Sequence, residues 1–113
     1  MIVTMPIHTV SELNQREHWT VRVHRRRAQR AAVVLLLPKD RPPLPVTVTL
    51  TRIAPRKIDK HDNYRSCFKA IVDEIAHIYG VKDDDPRITW EYGEQERGEP
   101  KEYAVRIEIE GRE

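Results

Sequence analysis

Hydrophobic positions recur along the chain in two periods, and those periods divide it into elements. Met1 to Val10 alternates weakly (Ile2, Val3, Met5, Ile7) and is broken by Pro6, which suits an edge strand or an extended arm. Ser11 or Asn14 then offers a helix cap, and Glu12 to Leu37 contains neither Gly nor Pro, so one long helix is predicted from near Gln15. On that helix Val21, Ala28, Ala31, Ala32 and Leu35 share an apolar face, with Arg26 and Arg30 opposite and Arg22, Arg25 and Arg27 flanking. Val33 to Leu37 is apolar all round and would also suit a strand; helix is favoured because the preceding residues already propagate one.

Pro38 to Pro45 cannot continue a helix and reads as a surface loop. Val46 to Ile53 alternates β-branched residues at period two, the clearest strand in the chain, with Val46, Val48 and Leu50 on one face. A second helix is predicted from about Asn63 to Tyr79, capped by Asp62 and stopped by Gly80. Its apolar side is Tyr64, Cys67, Phe68, Ile71, Ile75 and Ile78; its polar side is Asp62, Ser66, Lys69, Asp73 and His77. Arg87 to Tyr92 alternates with Ile88, Trp90 and Tyr92 on one side, and Glu102 to Glu110 with Tyr103, Val105, Ile107 and Ile109 on one side. Separated by the polar turn Gly93 to Pro100, these two runs are expected to pair as an antiparallel hairpin. The expected fold class is α/β (α+β): one small two-layer sandwich in which helices cover one face of a mixed sheet.

The length, 113 residues, fits one domain over residues 1–113. No apolar run approaches the length of a membrane span and no signal-peptide pattern precedes the first element, so no membrane partner and a cytoplasmic setting are expected. Cys67, the only cysteine, falls on an apolar helix face and reads as a small buried hydrophobe in a reducing compartment. Trp19 and Trp90 read as core residues in preference to a base-stacking platform, and the spacing of His8, His18, His24 and His77 suggests no zinc site.

The net charge of +2 hides an asymmetry. Residues 1–60 carry 12 Lys and Arg against 4 Asp and Glu, whereas residues 61–113 carry 8 against 14. Cations that hold phosphates, joined to carboxylates that hold a metal, are what an enzyme acting on nucleic acid needs; mutual surface salt bridges would give the same balance. The carboxylates lie at both ends of the second helix: Asp59 and Asp62 before it, Asp83, Asp84 and Asp85 just after Gly80. If the chain reverses after Gly80, three or four carboxylates converge beside Lys69, the composition of a hard-cation site. Asp62 read alone is a helix cap, Lys69 read alone an i,i+4 partner of Asp73, and His61 read alone a solvated loop residue.

From Val46 to Tyr92 the residues TLTRIAPRKIDKHDNYRSCFKAIVDEIAHIYGVKDDDPRITWEY resemble the RusA-type Holliday-junction resolvases, in particular the shorter phage and prophage members. The likeness extends more loosely to SELNQREHW and the Arg-rich helix after it. It implies a homodimeric, Mg²⁺-dependent endonuclease, with Mn²⁺ able to substitute, that resolves four-way junctions and other branched DNA in recombination and repair. Carried over residue by residue, Asp59 and Asp62-Asn63 take the first acidic motif, Lys69 the lysine and Asp83 the second acidic position, with Asp85 the competing metal ligand. Two departures stand out. The first two carboxylates are separated by two residues instead of one, with His61 between them, and Lys69 lies about one turn further along the helix. Arg22, Arg25, Arg26, Arg27, Arg30, Arg52, Arg56, Lys57, Lys60 and His61 are the candidate DNA contacts. The alternative is a DNA-binding phage accessory protein that has the same fold but no catalysis. If the acidic triplet is extended, Asp83 and Asp85 share one side and Asp84 points away.

Overall fold

The structure is a computed structural model, described here for residues 1–11, 17–58 and 64–112. Two helices pack on one face of a five-stranded mixed sheet, in the order β1 (Ile2–Met5), α1 (Trp19–Leu36), β2 (Val46–Ala54), a 3₁₀ turn (Arg65–Phe68), α2 (Lys69–Ile78), β3 (Ile88–Tyr92), β4 (Glu96–Arg97) and β5 (Ala104–Gly111). The two-layer α+β architecture expected from the pattern is thus present. No helix among the described residues is long and apolar enough to cross a membrane.

Sheet order is β1-β5-β2-β3, with β4 also on β2. The central strand β2 pairs with β3 in parallel, Val46 opposite Ile88 and Leu50 opposite Tyr92. On its other side it pairs antiparallel with β5, Val48 opposite Ile109 and Leu50 opposite Ile107. The expected hairpin between the last two runs is therefore wrong: β2 lies between them. Parallel pairing needs a crossover, which α2 supplies, and the connection after β3 is long enough to carry the chain across the end of β2. Strand β4 continues the β3 edge further along β2, with Ile53 opposite Glu96. Between them Gly93 donates its N–H to Leu50 O (2.9 Å) and packs so closely on β2 that a Cβ would overlap Thr51 Oγ1. Strand β1 is an edge strand on β5, Met5 opposite Val105, and it ends at Pro6.

Alternation sorts the strands into two faces. Val46, Val48 and Leu50 of β2, Val105, Ile107 and Ile109 of β5 and Met5 of β1 are buried against Phe68, Ile71 and Ile75 of the second helical segment and Val33 and Leu37 from the end of α1. Burial of these side chains, each worth about 1.5–3 kcal/mol, is the main stabilising term. Among the described residues no helix lies over the opposite sheet face.

Both helices start differently from the sequence expectation. The second is split: Arg65–Phe68 winds as a 3₁₀ turn, with Tyr64 at its N-cap, before α2 begins at Lys69. The cause is Tyr64, whose hydroxyl accepts from Arg52 N–H (3.0 Å) and donates to Gly93 O (2.7 Å), tying the first turn to the sheet. Cys67 is buried, as expected, and its thiol donates to Tyr64 O (2.9 Å). At the other end Gly80, φ 74°, closes a Schellman motif: Gly80 N–H to His77 O (2.9 Å) and Val81 N–H to Ala76 O (3.0 Å).

Helix α1 begins at Trp19 with His18 as its cap, its Nδ1 accepting from Thr20 N–H (3.3 Å); the Asn14 cap considered above lies outside the described residues. Its orientation reverses the expected one. Gln29 and Val33 are buried and Arg22, Arg25 and Arg26 half-buried, while Val21, Val34 and Leu35 face solvent, Leu35 at 81 % exposure. Trp19 is 66 % exposed and so is not core. The inward polar side is held by specific partners. Gln29 Nε2 donates to His8 O (2.9 Å), Arg25 pairs with Glu17 (2.6 Å), and Arg30 reaches Glu74 on α2 (3.1 Å).

Candidate functional site

Lys69 opens α2 on its solvent side and Asp73 follows one turn later, so the two meet at i,i+4 with Nζ–Oδ1 at 3.0 Å. The reversal after Gly80 brings Asp83 back to the same ammonium, at 3.4 Å from Nζ. Asp73 and, behind it, Asp83 raise the Lys69 pKa above its ordinary value, so this side chain is a fixed cation near neutral pH and not a proton acceptor. Asp83 is anchored through its backbone: Trp90 Nε1 on β3 donates to Asp83 O (2.8 Å).

Around this group lies a cleft of about 360 Å³ whose lining includes Arg26 of α1, Arg65, Ser66 and Lys69 of the second helical segment, and Asp83. Arg26 Nε is buried without a hydrogen-bond partner among the described residues. Three cationic side chains and a hydroxyl suit a phosphate, and Asp83 beside them is one carboxylate of the kind a hard cation takes. Side-chain exposures of 35 % for Asp73 and 47 % for Asp83 leave carboxylate oxygen accessible, so these donors are of the type such a cation takes. No group of three or more His, Cys, Asp or Glu placed to hold a metal occurs among the described residues. Asp59, Lys60, His61 and Asp62, central to the expected site, lie outside them.

Asp85 sits differently from Asp83. Its Oδ1 accepts from Arg87 N–H (2.9 Å) and Nε (3.1 Å) and its Oδ2 from Nη2 (3.0 Å), and these bonds hold its pKa below the ordinary carboxylate value. The triplet is not extended. Asp85 N–H bonds to Lys82 O (3.1 Å) and Ile88 N–H to Asp85 O (3.1 Å), two successive turns, so period-two alternation does not apply to it.

The remaining candidate cations separate by burial. Arg27, Arg56 and Lys57 are exposed, and Arg22 and Arg25 are half-buried on α1. Arg30 is half-exposed and engaged by Glu74. Arg52, expected as a DNA contact, is 6 % exposed and directed into the protein, donating to Thr9 Oγ1 (2.9 Å), Arg56 O (2.7 Å) and Gln95 Oε1 (3.3 Å). Desolvation lowers its pKa from the ordinary arginine value. A strand position that alternation assigns to the core face keeps its guanidinium inside the fold.

Sequence reasoning missed Gln95. It lies in a polar turn, yet it is 5 % exposed and grips the main chain at Ile58, accepting from Ile58 N–H (2.8 Å) and donating to Ile58 O (2.6 Å). With Tyr64 tied to Arg52 and Gly93, both residues bordering positions 59–63 are fastened to the β3–β4 interruption. Arg65 and Ser66 were also missed as site residues, and Trp90 was read as core; only the fold reveals their proximity to Asp83. The sequence matches no protein-family model and no curated protein.

Proposed function

We propose that this protein is a Mg²⁺-dependent, structure-specific DNA endonuclease of the RusA type that cuts four-way and other branched junctions as a homodimer. The observation that carries the reading is the meeting of Lys69 and Asp83, 14 positions apart in sequence, in a cleft also lined by Arg26, Arg65 and Ser66. Asp83, with Asp59 and Asp62 from the motif resemblance, would hold the cation, which when bound lowers the pKa of attacking water and neutralises phosphate charge. Arg26 and Arg65 would position the phosphodiester, and Lys69, kept cationic by Asp73 and Asp83, would balance the additional negative charge that develops on it. Arg27, Arg56 and Lys57, all exposed, are the further cations available to DNA backbone. Support for the dimer comes from α1, whose Val21, Ala28, Ala31 and Leu35 lie exposed along one face of the helix. A two-fold enzyme would place two sites for two symmetric cuts.

A nicking assay on a synthetic four-way junction in Mg²⁺ tests the reading. Wild-type protein is expected to cut, and Asp62→Asn and Asp83→Asn to bind the junction but lose cleavage by at least about a hundredfold, as removal of one charge-stabilising group costs. Cleavage at the wild-type rate by both variants would refute the site assignment. One observation favours a second reading, a DNA-binding module of the same fold without catalysis: Lys69 is already paired with two carboxylates, the arrangement of a structural ion-pair group. That reading predicts salt-sensitive junction binding and no Mg²⁺-dependent nicking.

A further inference from the structure

Beside the Lys69 cleft is a second, larger one of about 600 Å³, and Arg65 and Tyr92 line both. We infer that this second cleft holds one unstacked nucleobase of a DNA strand whose phosphate lies in the first. The inference rests on the proposed function for the identity of the polymer, and on the chemistry of the cleft for the base.

Trp90 and Tyr92 project from the same side of β3, two residues apart, which sets them about 7 Å from each other along the strand. Strand β3 is the sheet edge, and no strand among the described residues flanks it on its outer side. Tyr92 is fixed from behind by Phe68, rings 5.7 Å apart at 29°, and the Arg65 guanidinium lies over the Tyr92 ring at 5.1 Å from its centroid. Trp90 is held by the bond from its Nε1 to Asp83 O, which leaves the half-buried indole with a fixed orientation. A preset indole and an arginine plane already resting on an aromatic ring are surfaces on which a base stacks without ordering new side chains.

The charge pattern separates base from phosphate. Arg26 and Lys69 line only the first cleft, and Glu91 and Glu94 only the second, so a phosphate is favoured in the first over the second. A base paired within a duplex cannot present its face to this cleft, so the nucleotide taken is one unpaired at a branch or in a single strand. Sequence tolerance follows, because every base has a face to stack.

Trp90 supplies the readout. The chain has two tryptophans, and Trp19→Phe, a change at a 66 % exposed position away from both clefts, leaves Trp90 as the sole reporter. A short oligothymidylate is expected to quench its fluorescence, while the abasic oligomer of the same length, inorganic tripolyphosphate and blunt duplex leave it unchanged. Arg65→Lys, which keeps the charge and removes the planar face, should weaken oligothymidylate binding about tenfold and leave binding of the abasic oligomer near wild type, with folding checked by circular dichroism. Equal quenching by the abasic oligomer, or no quenching by either, overturns the inference. Junction nicking measured on the same protein keeps the two readings apart. Nicking without base-dependent quenching removes the base site and leaves the nuclease, whereas base-dependent quenching without nicking supports the base site and removes the nuclease.

Discussion

Gln95→Ala should be the most damaging change of a single polar side chain among the described residues around the site. Three hydrogen bonds vanish together: those to Ile58 N–H (2.8 Å) and Ile58 O (2.6 Å), and the one from Arg52 Nη1 (3.3 Å). Each is worth about 1 kcal/mol net, and a buried group left without a partner costs about 1–3 kcal/mol. The penalty is not the full sum of these. Ile58 is half-buried, so water can reach its amide and carbonyl, and Arg52 keeps its bonds to Arg56 O and Thr9. A loss of about 2–3 kcal/mol is expected, close to 10 °C in Tm for a domain of this size. Urea denaturation followed by far-UV circular dichroism measures it. Gln95→Met controls for packing, since it restores most of the volume and none of the hydrogen bonds, and it should lose nearly as much as Gln95→Ala. If both variants lose less than about 0.5 kcal/mol, the amide does not fasten the chain at Ile58 and the account of how residues 59–63 are bordered fails.

Two further outcomes follow from placement on α1 and after α2. Leu35→Glu, at an 81 % exposed position, should change monomer stability by no more than about 0.5 kcal/mol but shift the protein toward monomer in sedimentation; an unchanged association state would remove this face's support for a dimer. Asp85 has its pKa depressed by Arg87, so its ion pair is complete above the ordinary aspartate pKa and is lost as pH falls through the lowered value. Carboxyl ¹³C titration should show that low midpoint, and Arg87→Ala should return it to the ordinary range; a midpoint unmoved by the substitution would assign the depression to another cause.

The part of the fold legible in the sequence is the part governed by local period. Val46 to Ile53 is a strand with its even positions inward, the helix running to Ile78 buries Tyr64, Cys67, Phe68, Ile71 and Ile75, and Gly80 stops that helix, because each depends on side-chain alternation or on a left-handed residue that glycine alone adopts freely. The sequence left the reversal after Gly80 as a condition, and the successive turns at residues 82–88 are what bring Asp83 to Lys69. What only the tertiary structure decided is how elements choose partners. The last two strands look like a hairpin because they are adjacent in sequence, yet β2 can satisfy both its edges at once and so lies between them. Helix α1 has two candidate faces, and period alone cannot say which one meets the sheet. The observed choice puts Gln29 and Arg26 inward and Leu35 outward, because His8 O bonds Gln29, Glu17 pairs with Arg25 and the cleft with Lys69 accepts Arg26. Arg52 and Gln95 are polar in the sequence and buried in the fold for one reason: each completes hydrogen bonds that segments remote from it would otherwise leave unmade.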